Sequence, residues 1–173
     1  IQVTNAPDHG TLAAPYDVTN TTFYAHPTQT GLVGYWNMED ITGTTLSDMT
    51  ANSNDGTITG ALQALTAPEL QILPNANGYS LDFDGTSANS VQIAHDASLN
   101  LGTELTIEGW IKPTTPSGSE WQTLLMKGNY GYGLGVDENG YLRYWDQAVA
   151  GNTSASTTGI TFDQWNHIAV TVD

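Results

Sequence analysis

The segments LTIEGWIKP, Leu105–Pro113, and QWNHIAVTVD, Gln164–Asp173, decide how this chain is read. Each alternates apolar and polar residues with a period of two, and each carries a tryptophan. Successive side chains of a β-strand point to opposite faces, so this is the pattern of a strand with one face buried. Leu105, Ile107 and Ile111 in the first segment and Ile168, Val170 and Val172 in the second can line a core. The Thr, Glu, Lys, Asn and His residues between them cannot. Between the two segments lies YGLGVDENGYLRYW, Tyr132–Trp145, which reads as two strands joined at Glu138-Asn139-Gly140. Asn-Gly is a strong short-range hairpin signal. The chain is therefore expected to be all-β and antiparallel.

Working outward, further strands are expected at Leu32–Met38, Gly56–Gly60, Tyr79–Phe83, Ser90–Ala94 and Thr123–Lys127. Tyr79–Phe83 and Ser90–Ala94 are read as a hairpin across Asp84-Gly85. The spacing of the later strands suits a sandwich. Pro68 interrupts ALQALTAPELQIL, Ala61–Leu73, so that stretch reads as a loop with one helical turn. Ile1–Thr30 has a different texture: a short strand, a Pro-Asp-His-Gly turn and a Thr/Asn/Pro-rich run. It is read as a linker or as the end of a preceding β-repeat, outside the core of a domain that begins at Gly31.

Charge narrows the function. Three basic residues stand against 18 acidic ones, a net charge of -15. Nucleic-acid binding relies on Lys and Arg to neutralise phosphates, so that class is excluded. No apolar run approaches the roughly 20 residues that span a bilayer. The absence of cysteine rules out disulfides, thiolate metal sites and Cys nucleophiles. An acidic surface rich in Thr, Asn and Ser suits an extracellular or cell-surface protein, and equally a binder of hard cations. The first residue is Ile, so the sequence is read as a processed or excised piece.

The loop SDMTANSNDGT, Ser47–Thr57, concentrates oxygen-bearing side chains: Asp48, Asn52, Asn54 and Asp55 within a Gly-ended turn. Such a set suits Ca²⁺, with Glu39 and Asp40 at the same rim to complete the site. The same residues also suit an Asx-rich turn that satisfies its own backbone.

The order of phrases carries a resemblance. GLVGYWNMED, TLSDMTANSNDGTITG, YSLDFDG, SVQIAHDASLNLG, LTIEGWIKP, TLLMKG, YGLGVDENGYLRYW and FDQWNHIAVTVD follow one another over Gly31–Asp173. The chain resembles the laminin G-like (concanavalin A-like, pentraxin-like) domain of bacterial extracellular proteins. That resemblance implies a jelly-roll sandwich of two antiparallel sheets and a structural Ca²⁺ near Asp48 and Asn54–Asp55. Family members continue beyond the strand that ends here at Asp173, so the domain is expected to be incomplete at its C-terminal end. Within Ile1–Leu12, the phrase Val3-Thr4, Pro7, His9-Gly10-Thr11-Leu12 resembles the end of cadherin-like or immunoglobulin-like repeats.

Catalysis is not expected. Sandwich glucanases of similar fold use two carboxylates along one strand, and the corresponding strand offers Glu108 alone. No His spacing matches a metalloprotease motif, and no Ser sits in a nucleophile elbow. Trp36, Trp110 and Trp165 are expected in the core. Trp121, Tyr130, Tyr132, Tyr144 and Trp145 fall in or near the hairpin and its loops, where aromatics either stack on sugar faces or pack under a loop. The expected ligand surface is Trp121, Tyr130, Tyr144, Trp145 and Asp146, with Gln147 and Asn152 as further polar partners. The leading reading is a binding or adhesion module for carbohydrate or another surface ligand. The rival is a structural subunit or spacer of an adhesin or filament that self-associates by β-strand addition.

Overall fold

The computed structural model describes residues 31–60, 62–64, 79–101, 104–128, 131–146 and 152–172. These residues build antiparallel β-structure. The one helical turn among them is a 3₁₀ turn, Ala97–Leu99, capped by the Asp96 carboxylate on the Ser98 N–H. Among the described residues no helix is long and apolar enough to cross a membrane. Two compact units divide the chain. One takes the residues up to Asp82 together with Ser90–Ala94, and the other takes Phe83–Asn89 and the residues from His95 onward. Ile1–Thr30 lies outside the described residues.

In the first unit, strands β1 (Ile41–Thr42), β2 (Thr45–Leu46), β3 (Gly56–Thr59) and β6 (Ser90–Ile93) form a sheet in the order β1-β2-β3-β6. A separate pair joins β4 (Leu62–Ala64) to β5 (Ser80–Asp82). Two expectations are corrected here. Tyr79–Phe83 and Ser90–Ala94 do not pair with each other: β5 pairs with β4, and β6 pairs with β3. The residues between them close on themselves instead, as Asp84 Oδ1 accepts the Thr86 N–H and hydroxyl and the Asn89 N–H donates to Thr86 O. Leu32–Met38 is not a strand either. Its backbone bonds to the loop that follows: Tyr35 N–H to Asp48, Met49 N–H to Tyr35 O, and the Asn52 and Asn54 amides to Val33 O. In the stretch read as a loop, Leu62–Ala64 is a strand, and 65–73 lies outside the described residues.

The second unit holds β7 (Leu105–Ile111), β8 (Gln122–Met126), β9 (Tyr132–Val136), β10 (Leu142–Asp146), β11 (Asn152–Ala155) and β12 (Asn166–Val172). The two deciding segments pair with each other over seven residues, from Leu105↔Val172 to Ile111↔Asn166. The remaining four strands form a sheet in the order β11-β10-β9-β8. Leu105, Leu134, Tyr144 and Ile168 form the core between the layers. Ile107, Ile111, Leu124, Leu142, Val170 and Val172 pack around them. Alternation thus puts one row of each strand inside and the other outside, which makes this unit a sandwich.

The same alternation corrects the placement of Trp110. It shares the outward row with Thr106 and Glu108, is about half exposed at 49%, and meets His167 edge-on across the ladder with ring centroids 5.2 Å apart. Trp36 and Trp165 are half-buried and lie outside the core cluster. The hairpin at Glu138-Asn139-Gly140 forms as expected, with Gly140 at φ 84°, where a β-carbon is disfavoured. Asp137 ties it: its N–H donates to Tyr141 O, and its Oδ1 accepts the N–H groups of Asn139 and Tyr141. Strand β11, NTSA, carries no apolar alternation, which is why the sequence alone did not reveal it.

Candidate functional site

On the outward face of the four-stranded sheet, Arg143 and Trp145 alternate with the inward Leu142 and Tyr144 of β10. The register sets Arg143 opposite Gly135 and Trp145 opposite Gly133 on β9, and places Thr123 and Met126 of β8 beside the same glycines. The Trp145 indole lies across this glycine floor. A β-carbon at Gly133 would collide with Cε2, Cζ2 and Nε1 of the ring, and one at Gly135 would stand 3.4 Å from Cζ3. Trp121, 50% exposed, stands beside it with ring centroids 6.4 Å apart and planes at 47°. The Arg143 guanidinium carbon lies 5.7 Å from the centre of the Trp121 ring, within cation–π range.

Arg143 is fixed from below by Asp137. Its Nε and Nη2 donate to one carboxylate oxygen at 2.8 and 2.6 Å. Burial of Asp137 opposes its charge, but the Tyr141 and Asn139 N–H groups and the Arg143 guanidinium outweigh it and hold the carboxyl below the usual carboxylate range. The result is a platform of two indoles and a clamped guanidinium. Chemically it offers flat apolar surface and N–H donors side by side, which suits the C–H face and the hydroxyls of a sugar ring.

In the first unit, the loop Ser47–Thr57 is organised around Asp48. Oδ1 accepts the N–H groups of Tyr35 (2.9 Å) and Thr50 (3.0 Å), while Oδ2 accepts the Thr50 hydroxyl and the Asn54 N–H, both at 2.8 Å. Burial opposes the Asp48 charge, yet these donors together keep its carboxyl below the usual range. Asp55 Oδ1 accepts the Asp48 N–H at 2.8 Å, and the Trp36 indole N–H donates to Asn54 O at 3.0 Å.

A family model described as the concanavalin A-like lectin/glucanases superfamily matches residues 83–173, just over half of the chain. The chain belongs to that superfamily. No curated protein and no solved structure matches it. The matched span contains β7–β12 and every residue of the Trp121–Trp145 platform of this concanavalin A-like domain.

Asp48, the residue that the resemblance implied for calcium, has both carboxylate oxygens engaged by donors of this chain. Both Asp48 oxygens face N–H and O–H hydrogens, so a cation beside them would meet donors rather than free lone pairs. The Asn52 and Asn54 amides donate to Val33 O. Glu39 is drawn to another partner, accepting the Tyr79 N–H at 2.7 Å. Among the described residues, no group of three or more His, Asp or Glu side chains is placed to hold a metal. The hydrogen bonds around Asp48 are those of the Asx turn that the composition of the loop also allowed.

Of the expected ligand residues, the structure brings Trp121 and Trp145 together and turns Tyr144 and Asp146 the other way. Tyr144 is a core residue, 6% exposed, because it occupies an inward position of β10. Burial and then the nearby Asp146 charge raise its hydroxyl pKa. Asp146 follows Trp145 and alternates to the inward side with Tyr144, away from the platform. Tyr130 and Gln147 lie outside the described residues, as does the side chain of Asn152. Sequence reading missed Gly133, Gly135, Arg143 and Asp137. The available signal was Y-G-L-G-V: glycines at both outward positions of a strand, facing a Trp-bearing partner across a hairpin.

Proposed function

We propose that this chain is a non-catalytic carbohydrate-binding module of an extracellular or cell-surface protein, with Trp121, Trp145 and Arg143 as its sugar-contacting residues. The observation that carries this reading is the Trp145 indole laid on a glycine-lined strand beside a half-exposed Trp121. The half-exposed Trp121 ring, with the partly buried Trp145 ring beside it, leaves apolar surface in water, and a sugar's C–H face could cover it. The module is read as non-catalytic because glycoside hydrolysis needs two carboxylates flanking the scissile bond. Two of the carboxylates near the platform in sequence are otherwise engaged: Asp137 is clamped by Arg143, and Asp146 is turned to the other side of the sheet.

A glycan array on the full chain, followed by calorimetry on any oligosaccharide it retains, tests the proposal. Trp121→Ala removes an aromatic contact worth about 1.5–3 kcal/mol when covered, so affinity is expected to fall roughly ten- to hundredfold with the circular dichroism unchanged. An array that retains no glycan, or a Trp121→Ala variant that binds as the parent does, refutes it.

A further inference from the structure

We propose that the platform selects uncharged sugars over acidic ones, an inference that rests on the sugar-binding reading of this face and adds the class of sugar. Arg143 is one of only three basic residues in a chain of net charge -15. A lone cation set among aromatic rings would ordinarily point to an anionic ligand such as a uronate or a sulfated sugar. Here the cation already has its counter-ion. Asp137 is 1% exposed, and its Oδ2 takes both the Nε and Nη2 hydrogens of Arg143. Two of the five N–H groups of a guanidinium are thereby committed, and the pair presents no net charge to an incoming ligand.

The other two cations do not compensate. Lys127 directs its ammonium to His95 Nδ1 at 2.9 Å, and Lys112 follows β7 in the other layer of the sandwich. The exposed side chains of Glu120, next to Trp121, and of Glu138, at the tip of the β9–β10 hairpin, add negative charge to the same unit. A polyuronate approaching a chain of net charge -15 would meet overall like charge, and the arginine of the platform already holds its counter-ion. A neutral pyranose would meet two indole rings and the remaining Arg143 N–H donors. Charge, not shape, therefore makes the selection, and its strength must depend on ionic strength. The screening length falls from about 30 Å at 0.01 M salt to under about 10 Å at physiological salt and above.

The test is calorimetry on the full chain with cellohexaose, mannohexaose and xylohexaose against hexamers of galacturonate and guluronate, each at about 0.02 M and about 0.5 M salt. At low salt at least one neutral hexamer is expected to bind tenfold or more tightly than either uronate, by the same screening argument. Raising the salt should change neutral binding by less than about twofold and strengthen uronate binding as repulsion is screened. Uronates that bind more tightly than every neutral hexamer, weaken with salt and lose affinity in Trp121→Ala would overturn this selection while leaving the face a sugar site. If none of the hexamers binds, the sugar-binding reading fails and this inference fails with it.

Discussion

Replacing Asp48 with Ala removes the acceptor around which the loop Ser47–Thr57 is built, and the structure lets the cost be worked out. Three backbone N–H groups, of Tyr35, Thr50 and Asn54, and the Thr50 hydroxyl would lose their partner together. Thr50 and Asn54 are 8% and 5% exposed, so water reaches their donors poorly. A buried donor left unsatisfied costs about 1–3 kcal/mol. The low end applied to the three backbone groups gives a loss of about 3 kcal/mol. In a chain of this size 1 kcal/mol moves the midpoint by roughly 2–4 °C, so Tm is expected to fall by about 6–12 °C. The assay is thermal unfolding of parent and variant, each in excess Ca²⁺ and in EDTA. The parent should melt at the same temperature in both, and the variant should lose the same amount in both. A parent stabilised by Ca²⁺, with that stabilisation absent from Asp48→Ala, would refute the reasoning and make the loop a metal site. A loss under about 1 kcal/mol, within the usual range of surface substitutions, would equally refute it.

Gly133→Ala should leave the sandwich folded but lift the Trp145 indole off β9. The near-ultraviolet circular dichroism is expected to change, and affinity for any bound oligosaccharide to fall by about tenfold, equivalent to about 1.4 kcal/mol. Unchanged spectra and affinity would mean that the ring does not rest on that strand. The carboxyls of Asp48 and Asp137 both sit below their unfolded value of about 3.9. Their contribution to stability is therefore complete above about pH 4 and disappears as pH falls through their folded values. Denaturant titration between about pH 6 and pH 2 should show stability falling below pH 4, with a smaller fall in Asp48→Ala because one of the two linked groups is gone.

Several features of this domain were legible because they are local. Alternation with period two is a property of consecutive residues. The segments Leu105–Ile111, Tyr132–Val136, Leu142–Asp146 and Asn166–Val172 are therefore strands at or within a residue of the expected bounds. Their inward rows, Leu105, Ile107, Ile111, Ile168, Val170 and Val172, line the core as read. Trp110 is instructive: its position in the alternation already placed it outside with Glu108, and only the expectation that a large aromatic seeks the core pointed the other way. The Asn139-Gly140 hairpin was equally local, since its turn is set by a few adjacent backbone angles.

Which strand pairs with which, and what a side chain meets across the fold, belong to the tertiary structure. Ser80–Asp82 and Ser90–Ile93 look like a hairpin in sequence, yet each finds a different partner, because a short turn permits pairing without requiring it. The oxygen-rich loop at Asp48 looks the same on paper whether it holds a cation or its own backbone. Of the four hydrogen bonds that the Asp48 carboxylate accepts, the one from Tyr35 comes from thirteen residues away, and no local pattern announces it. The platform is decided at the same level. Tyr144 and Trp145 are neighbours in sequence, but one turns into the core and the other lies on Gly133, a contact that exists only once the β9–β10 register is set. Composition and periodicity determined that this would be an antiparallel sandwich with a negative surface. The long-range register, which no local pattern encodes, decided where the Trp121 and Trp145 indoles meet the clamped arginine.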